Sequence, residues 1–249
     1  MLRIEFNKIK RSFILPVLFI APILVVLSGI NSLSRYFTPE YKSAWPAMFI
    51  QSALVYSYYL LPLSMIVVCV MISARETQNN GILKMLALPI DRVKISLAKF
   101  TVVVIFLLME IALFLIVFLM AGKIAIISHN VTETLPLSYL LGCCIKLFIT
   151  MLPATACIWA ITVLFEKPIA SVGLNLLLVI PGILVANTGA WVCYPYCYSG
   201  YLISCSLHEF SNQEELFKMQ LFPFVLIAVL IFAAALALSA FRFGKKEMA

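Results

Sequence analysis

The sequence predicts an all-α integral membrane protein with six transmembrane helices, and three observations carry that reading. Hydrophobic residues make up 63% of the 249-residue chain and charged residues 12%, against roughly 45–50% and 25% in a soluble domain. So few charges cannot clothe a water-facing surface, and with a mean hydropathy of +1.07 the apolar side chains must be solvated by lipid. A cytosolic enzyme, a secreted disulfide scaffold and a disordered tail are excluded. Second, the apolar residues fall in runs of spanning length: a helix rising about 1.5 Å per residue needs about 20 residues to cross a hydrocarbon core about 30 Å thick. Third, Lys and Arg gather in alternate connections between those runs.

The runs cover residues 13–30, 49–73, 100–122, 137–165, 169–186 and 221–241. Spans four and five are parted only by Glu166, Lys167 and Pro168. The first run follows a basic stretch as a signal peptide would, but no small-x-small pattern comes after it, so an uncleaved first span is expected. Glu247, Met248 and Ala249 form no prenylation box. One set of connections holds Arg3, Lys8, Lys10, Arg11, Arg75, Lys84, Arg92, Lys94, Lys99, Lys167, Arg242, Lys245 and Lys246, thirteen in all. The other holds four, Arg35, Lys42, Lys123 and Lys218, while Lys146 falls inside span four. The positive-inside rule then places both termini in the cytoplasm. The net charge of +7 and pI near 9.1 therefore report topology, and no nucleic-acid partner is expected.

Two cytoplasmic stretches have patterns of their own. In residues 1–12, with Phe13, the apolar Leu2, Phe6, Ile9 and Phe13 recur at helical spacing while Arg3, Lys8, Lys10 and Arg11 take much of the remainder. That predicts an interfacial helix lying on anionic lipid headgroups, the alternative being a plain basic flank of the first span. In residues 74–99, Asn79, Asn80 and Gly81 form a turn signal. Ile82, Leu83, Leu86 and Ala87 then make a short amphipathic helix that Pro89 stops, and Asp91 can cap the helix that follows. Such a helix suits docking of another protein; an ordinary interfacial loop helix is the alternative.

The order Glu76, Gly81, Leu86, Pro89, Arg92 and Lys99 resembles the loop of type-2 ABC exporter permeases, which commonly reads E, G, L, P-x-x-R, K. Ile82 departs from it, standing where that family often has Thr or Ser. The opening Glu5, Lys8, Lys10, Arg11 and Ser12, followed by an apolar span with Pro22, is similar to permeases of lantibiotic self-immunity exporters. The resemblance implies a half-transporter of the bacterial cell membrane, one transmembrane domain over residues 1–249. It implies an ATPase-coupling helix carried by Glu76, Gly81, Leu86, Pro89 and Arg92, with Leu83 joining Leu86 on its apolar edge. The implied partners are an ABC ATPase subunit dimer, where ATP and magnesium would bind, and a second permease, the same chain or a related one. The implied cargo is a cationic, lantibiotic-like peptide antibiotic. A re-entrant outer segment between spans five and six is implied as well, and residues 187–220 suit it. Trp191, Tyr194, Tyr196, Tyr198 and Tyr201 are too apolar for a free loop and prefer the headgroup level. Pro195 and Gly200 permit a reversal where protein shields the backbone.

No catalytic constellation appears. The phosphate loop G-x-x-x-x-G-K-[ST] is absent, so energy must come from a partner or an ion gradient. His208 and Glu209 are followed by Phe210, Ser211 and Asn212, which breaks H-E-x-x-H, and Glu214 and Glu215 lack the Arg of an intramembrane protease motif at Met219. Neither a cofactor nor a metal is expected in this chain. Neither His129 nor His208 lies at zinc-ligand spacing from a cysteine pair. Cys193, Cys197 and Cys205 allow at most one disulfide, or act as small apolar residues.

Two ionisable residues lie within spans. Glu110 is about 10 residues from the inner end of span three and Lys146 about 9 from the outer end of span four, both ~14 Å deep. Matched depth on neighbouring helices leaves two readings open, a polar lining of a substrate path or a structural ion pair. Pro16, Pro22, Pro62, Pro153 and Pro181 are expected to kink their spans. Ala233, Ala234, Ala235, Ala237, Ser239 and Ala240 suit close packing of span six. The sequence thus favours an exporter permease over an ion-coupled carrier in which Glu110 takes the proton, or a membrane assembly protein without transport. A secondary carrier has no use for a docking helix ahead of Pro89.

Overall fold

The computed structural model describes residues 14–30, 44–77, 92–128, 134–165, 167–210 and 221–245. Every regular element among them is helical. α1 (Ile14–Ile30) is followed by α2 (Ala44–Val55), a π-helical turn (Tyr56–Leu60) and α3 (Leu61–Thr77), which run on from one another. Then come α4 (Arg92–Ser128), α5 (Leu137–Leu164), α6 (Pro168–Val179) and α7 (Gly182–Ala186). Two 3₁₀ turns (Gly189–Cys193 and Pro195–Cys197) lead into α8 (Tyr198–Phe210), and α9 (Leu221–Lys245) closes the described chain. Five stretches are long and apolar enough to cross a membrane: Trp45–Ala74, Val93–Ile124, Leu137–Leu164, Pro168–Ala186 and Leu221–Arg242. Within α1 the apolar stretch Pro16–Leu27 is shorter. Residues 1–12, the loop from 78 to 91 with Gly81, Leu83, Leu86 and Pro89, and residues 211–220 lie outside the described residues.

The five candidate spans fall on five of the six apolar runs, and the departures in their bounds have causes. Arg92, Lys94 and Lys99, assigned to a connection on charge, stand in the first turns of a 37-residue α4. At about 1.5 Å per residue that helix is about 55 Å long and must project beyond a core about 30 Å thick. Charged residues can therefore remain helical outside the lipid. Pro181, expected to kink span five, separates α6 from α7, and its carbonyl accepts the N–H groups of Leu184 and Val185. Pro153 lies inside α5 and Pro22 inside α1.

The core is a continuous apolar cluster drawn mainly from α1 to α5, joined by Val179, Tyr196 and Ile203, with α9 covering one flank. The buried threonine hydroxyls of α5 are satisfied within their own helix, away from water. Thr150, Thr155 and Thr162 donate to the carbonyls of Lys146, Met151 and Ile158, at 2.9, 2.9 and 2.8 Å. Close approaches rest on small residues. A Cβ on Gly122 of α4 would come within 2.6 Å of the Trp45 ring, so glycine lets that indole lie against the helix.

The π-turn explains how the segment from 189 to 210 is held. Pro62 has no N–H to offer, and one residue earlier the Leu61 N–H bonds the Tyr56 carbonyl in a π step. That step leaves the Ser57 carbonyl without its usual i+4 donor. Ser199 at the start of α8 supplies one, its hydroxyl donating to the Ser57 carbonyl at 2.9 Å. Next to it Gly200 lies against the Tyr58 ring, and the Tyr58 and Ser204 hydroxyls bond at 3.2 Å. Ser199→Ala should therefore leave a buried carbonyl unsatisfied and lower stability by about 1–2 kcal/mol. Thermal unfolding of the purified protein in detergent measures it.

On its other side the same segment is tied to α6. The Tyr196 hydroxyl donates to Asn175 Oδ1 at 3.3 Å and the Tyr194 hydroxyl to the Leu178 carbonyl. Asn175 is fully buried, and its amide donates to the Ser171 carbonyl at 2.9 Å. Ser171 in turn donates to the Thr162 hydroxyl at 3.1 Å. The described part of the segment expected to be too apolar for a free loop is packed protein: Trp191 stacks on Tyr201 with centroids 4.2 Å apart, and Tyr198 meets Phe224 edge-on at 4.8 Å. All seven cysteines are free thiols. The Cys197 thiol donates to the Tyr194 carbonyl at 3.0 Å, as a small, half-polar packing residue would.

Candidate functional site

Glu110 occupies the middle of α4 and is wholly buried. An ionisable residue placed in a span and turned inward is a functional locus by default. Its partner is Ser64 on α3, whose Oγ lies 2.6 and 2.7 Å from the two carboxyl oxygens and 2.8 Å from the Leu61 carbonyl. Ser64 follows the π-turn and Pro62, so the irregularity in that helix sets the phase at which its hydroxyl meets α4. One turn from Glu110, Phe114 stacks on Tyr56 at 4.4 Å with the rings nearly parallel.

Tyr56 belongs to a column. Trp45, Ser52 and Tyr56 are spaced i, i+7 and i+11, so they share one stripe of the helix. All three are buried, and the Trp45 Nε1, Ser52 Oγ and Tyr56 hydroxyl have no hydrogen-bond partner among the described residues. Phe49, Phe114 and Phe118 pack edge-on or stacked between them. Orphaned buried donors are rare and call for an explanation such as a path that is wet at another stage of a cycle. The column runs along the seam of α2 with α4, and at its Tyr56 end the ring stacks on Phe114, one turn from Glu110.

The ion pair between Glu110 and Lys146 does not form. Lys146 is exposed on α5, flanked by the exposed Leu141, Ile145 and Ile149. The face of α5 that enters the bundle carries Cys143, Cys144, Leu147, Met151 and Ala154. Equal depth in sequence put the two residues together, but helical phase turns one inward and the other outward. They therefore do not line one path in this arrangement. Of the coupling residues, Glu76 falls in the last turn of α3 and Arg92 opens α4, on either side of the loop in sequence.

Sequence reasoning missed Ser64, Tyr56 and Ser199, and read Gly200 only as permitting a reversal. Pro62 was the available signal, since a proline in a span obliges neighbours to satisfy the freed backbone.

A family model described as ABC-2 family transporter protein matches residues 1–182. The chain belongs to this family. This ABC-2 transporter protein is accordingly a membrane permease of an ABC transporter, and the match covers the helices that build the Glu110 site, α1 to α6. The segment after Gly182, with α8 and α9, lies beyond the matched residues. No curated protein and no solved structure matches the chain.

Proposed function

We propose that this permease exports cationic, amphipathic peptides of the lantibiotic type from the membrane of a bacterial cell, protecting it against them. The observation that carries the reading is Glu110, an acidic group fully buried in a span and met only by the Ser64 hydroxyl among the described residues. A cationic cargo entering the α2/α4 seam would meet that carboxyl and the donors beside it once the helices part. In this reading α1 is the first of six spans, residues 1–12 form the interfacial helix, and both termini face the cytoplasm. Residues 74–99 carry the coupling helix, and 187–220 form the re-entrant outer segment. Energy comes from ATP and magnesium on a separate ATPase dimer, and the transport path is completed by a second permease. Lys146, facing away from the seam, is no longer assigned to the path.

Export and immunity are tested together. The tagged permease, expressed with its associated ATPase, should retain that subunit through purification in mild detergent and raise resistance to a cationic peptide such as nisin. Glu110→Gln should reduce resistance several-fold at unchanged protein level, because it removes the charge while keeping shape. Resistance untouched by Glu110→Gln would remove the carboxyl from the cargo path. An unchanged ATPase complex without any peptide resistance would overturn the cargo.

A further inference from the structure

Between α5 and α9 lies a cavity of about 190 Å³ lined by Ile149, Thr150, Pro153, Phe224, Ala228 and Phe232, with Val225 and Val229 at its exposed edge. Drug-sized ligand pockets run from roughly 300 to 1,000 Å³, so this groove suits a single hydrocarbon chain. Its only hydroxyl, on Thr150, is already spent on the Lys146 and Leu147 carbonyls. Pro153 and Ala228 open the space, one by interrupting the helix and the other by its size.

Lys146 stands at one end. Positions 146, 149, 150 and 153 are spaced i, i+3, i+4 and i+7, so the lysine shares the helical face that lines the groove. Its level follows from the packing. Residues 149–153 of α5 face 224–232 of α9, and farther along 157–164 face 231–238. The two helices therefore run in the same direction, with Leu221 at about the level of Cys144 to Lys146. The spanning part of α9, Leu221–Arg242, is about 33 Å long, close to the hydrocarbon thickness. The first turn of α9 thus marks a membrane boundary, and Trp191 packing on Phe224 at 5.4 Å agrees with that level. The 28-residue α5 is about 42 Å long and overhangs this boundary. On this placement Lys146 stands at the headgroup edge.

We propose that the α5/α9 groove binds an anionic phospholipid of the leaflet next to the start of α9, one acyl chain in the groove and the phosphate on Lys146. Charge complementarity selects this occupant: a cation at the rim, in an otherwise apolar exposed face, above a cleft of chain width. A zwitterionic lipid would fill the groove without the net attraction, worth about fivefold in affinity per lysine near an anionic surface.

The test uses the purified full chain in detergent, titrated with dioleoyl phosphatidylglycerol or dioleoyl phosphatidylcholine, with bound lipid counted by native mass spectrometry. The wild type should retain phosphatidylglycerol about fivefold better than phosphatidylcholine. Lys146→Gln should abolish that preference and Lys146→Arg should keep it, while Val229→Trp, at an exposed lining position, should lower retention of both lipids. Equal retention of the two lipids by the wild type would overturn the proposal, as would a preference that survives Lys146→Gln. A Val225→Cys variant that crosslinks to a second copy across this face in membranes would also overturn it, since the groove would then be a protein interface.

Discussion

Gly200→Ala is expected to lower the melting temperature by several degrees and to cut export, although it adds one methyl group. A Cβ at this position would run into Cγ, Cδ1 and Cε1 of the Tyr58 ring. The ring cannot move aside cheaply: Tyr58 is 2% exposed and its hydroxyl is bonded to Ser204. Overpacking of this kind costs about 1–3 kcal/mol, and each kcal/mol shifts the midpoint of a chain this long by about 2–4 °C. If α8 retreats instead, Ser199 loses the Ser57 carbonyl and α8 detaches from the π-turn. Thermal unfolding and peptide resistance measure the two consequences. Adding Gly200→Ala to Tyr58→Ala should cost little further, because the clashing atoms are gone; additive losses would mean that the contact does not govern α8 docking.

How far the sequence could be read depended on the kind of signal. Spans are legible because lipid demands length and apolarity together, so α5 and α9 fall on residues 137–165 and 221–241 within a few positions. The start of α4 was legible in Asp91, a cap for a helix beginning at Arg92, while the apolar run alone starts later because Arg92, Lys94 and Lys99 argue for water. Lys99 is even buried, its long stem suited to packing. Pro62 announced an irregularity, but not that a π step would answer it or that Ser199 would take up the carbonyl. Ser64 carried no signal, since a serine in a span is common and becomes Glu110's partner only through helical phase. Phase also decided Lys146: counting residues gives position along a helix, whereas facing depends on neighbours whose arrangement is tertiary.

Leu86→Asp is expected to abolish transport altogether by releasing the ATPase. The proposed coupling helix offers Leu83 and Leu86 on one edge, with Gly81 before it and Pro89 after it. It stands in the connection between α3 and α4, whose ends carry Glu76 and Arg92. Burying one leucine in a partner groove contributes about 1.5–3 kcal/mol. An aspartate there forfeits that gain and adds the cost of desolvating a carboxylate, which is larger still. The combined loss exceeds ~3 kcal/mol, more than a hundredfold in affinity. Pull-down of the tagged permease should therefore lose the ATPase while its own stability and membrane level stay unchanged, because the substitution lies outside the packed spans. Leu86→Met should remain active, as a similar volume can still fill the groove. An intact complex with normal export in Leu86→Asp would move the coupling contact elsewhere on the cytoplasmic face.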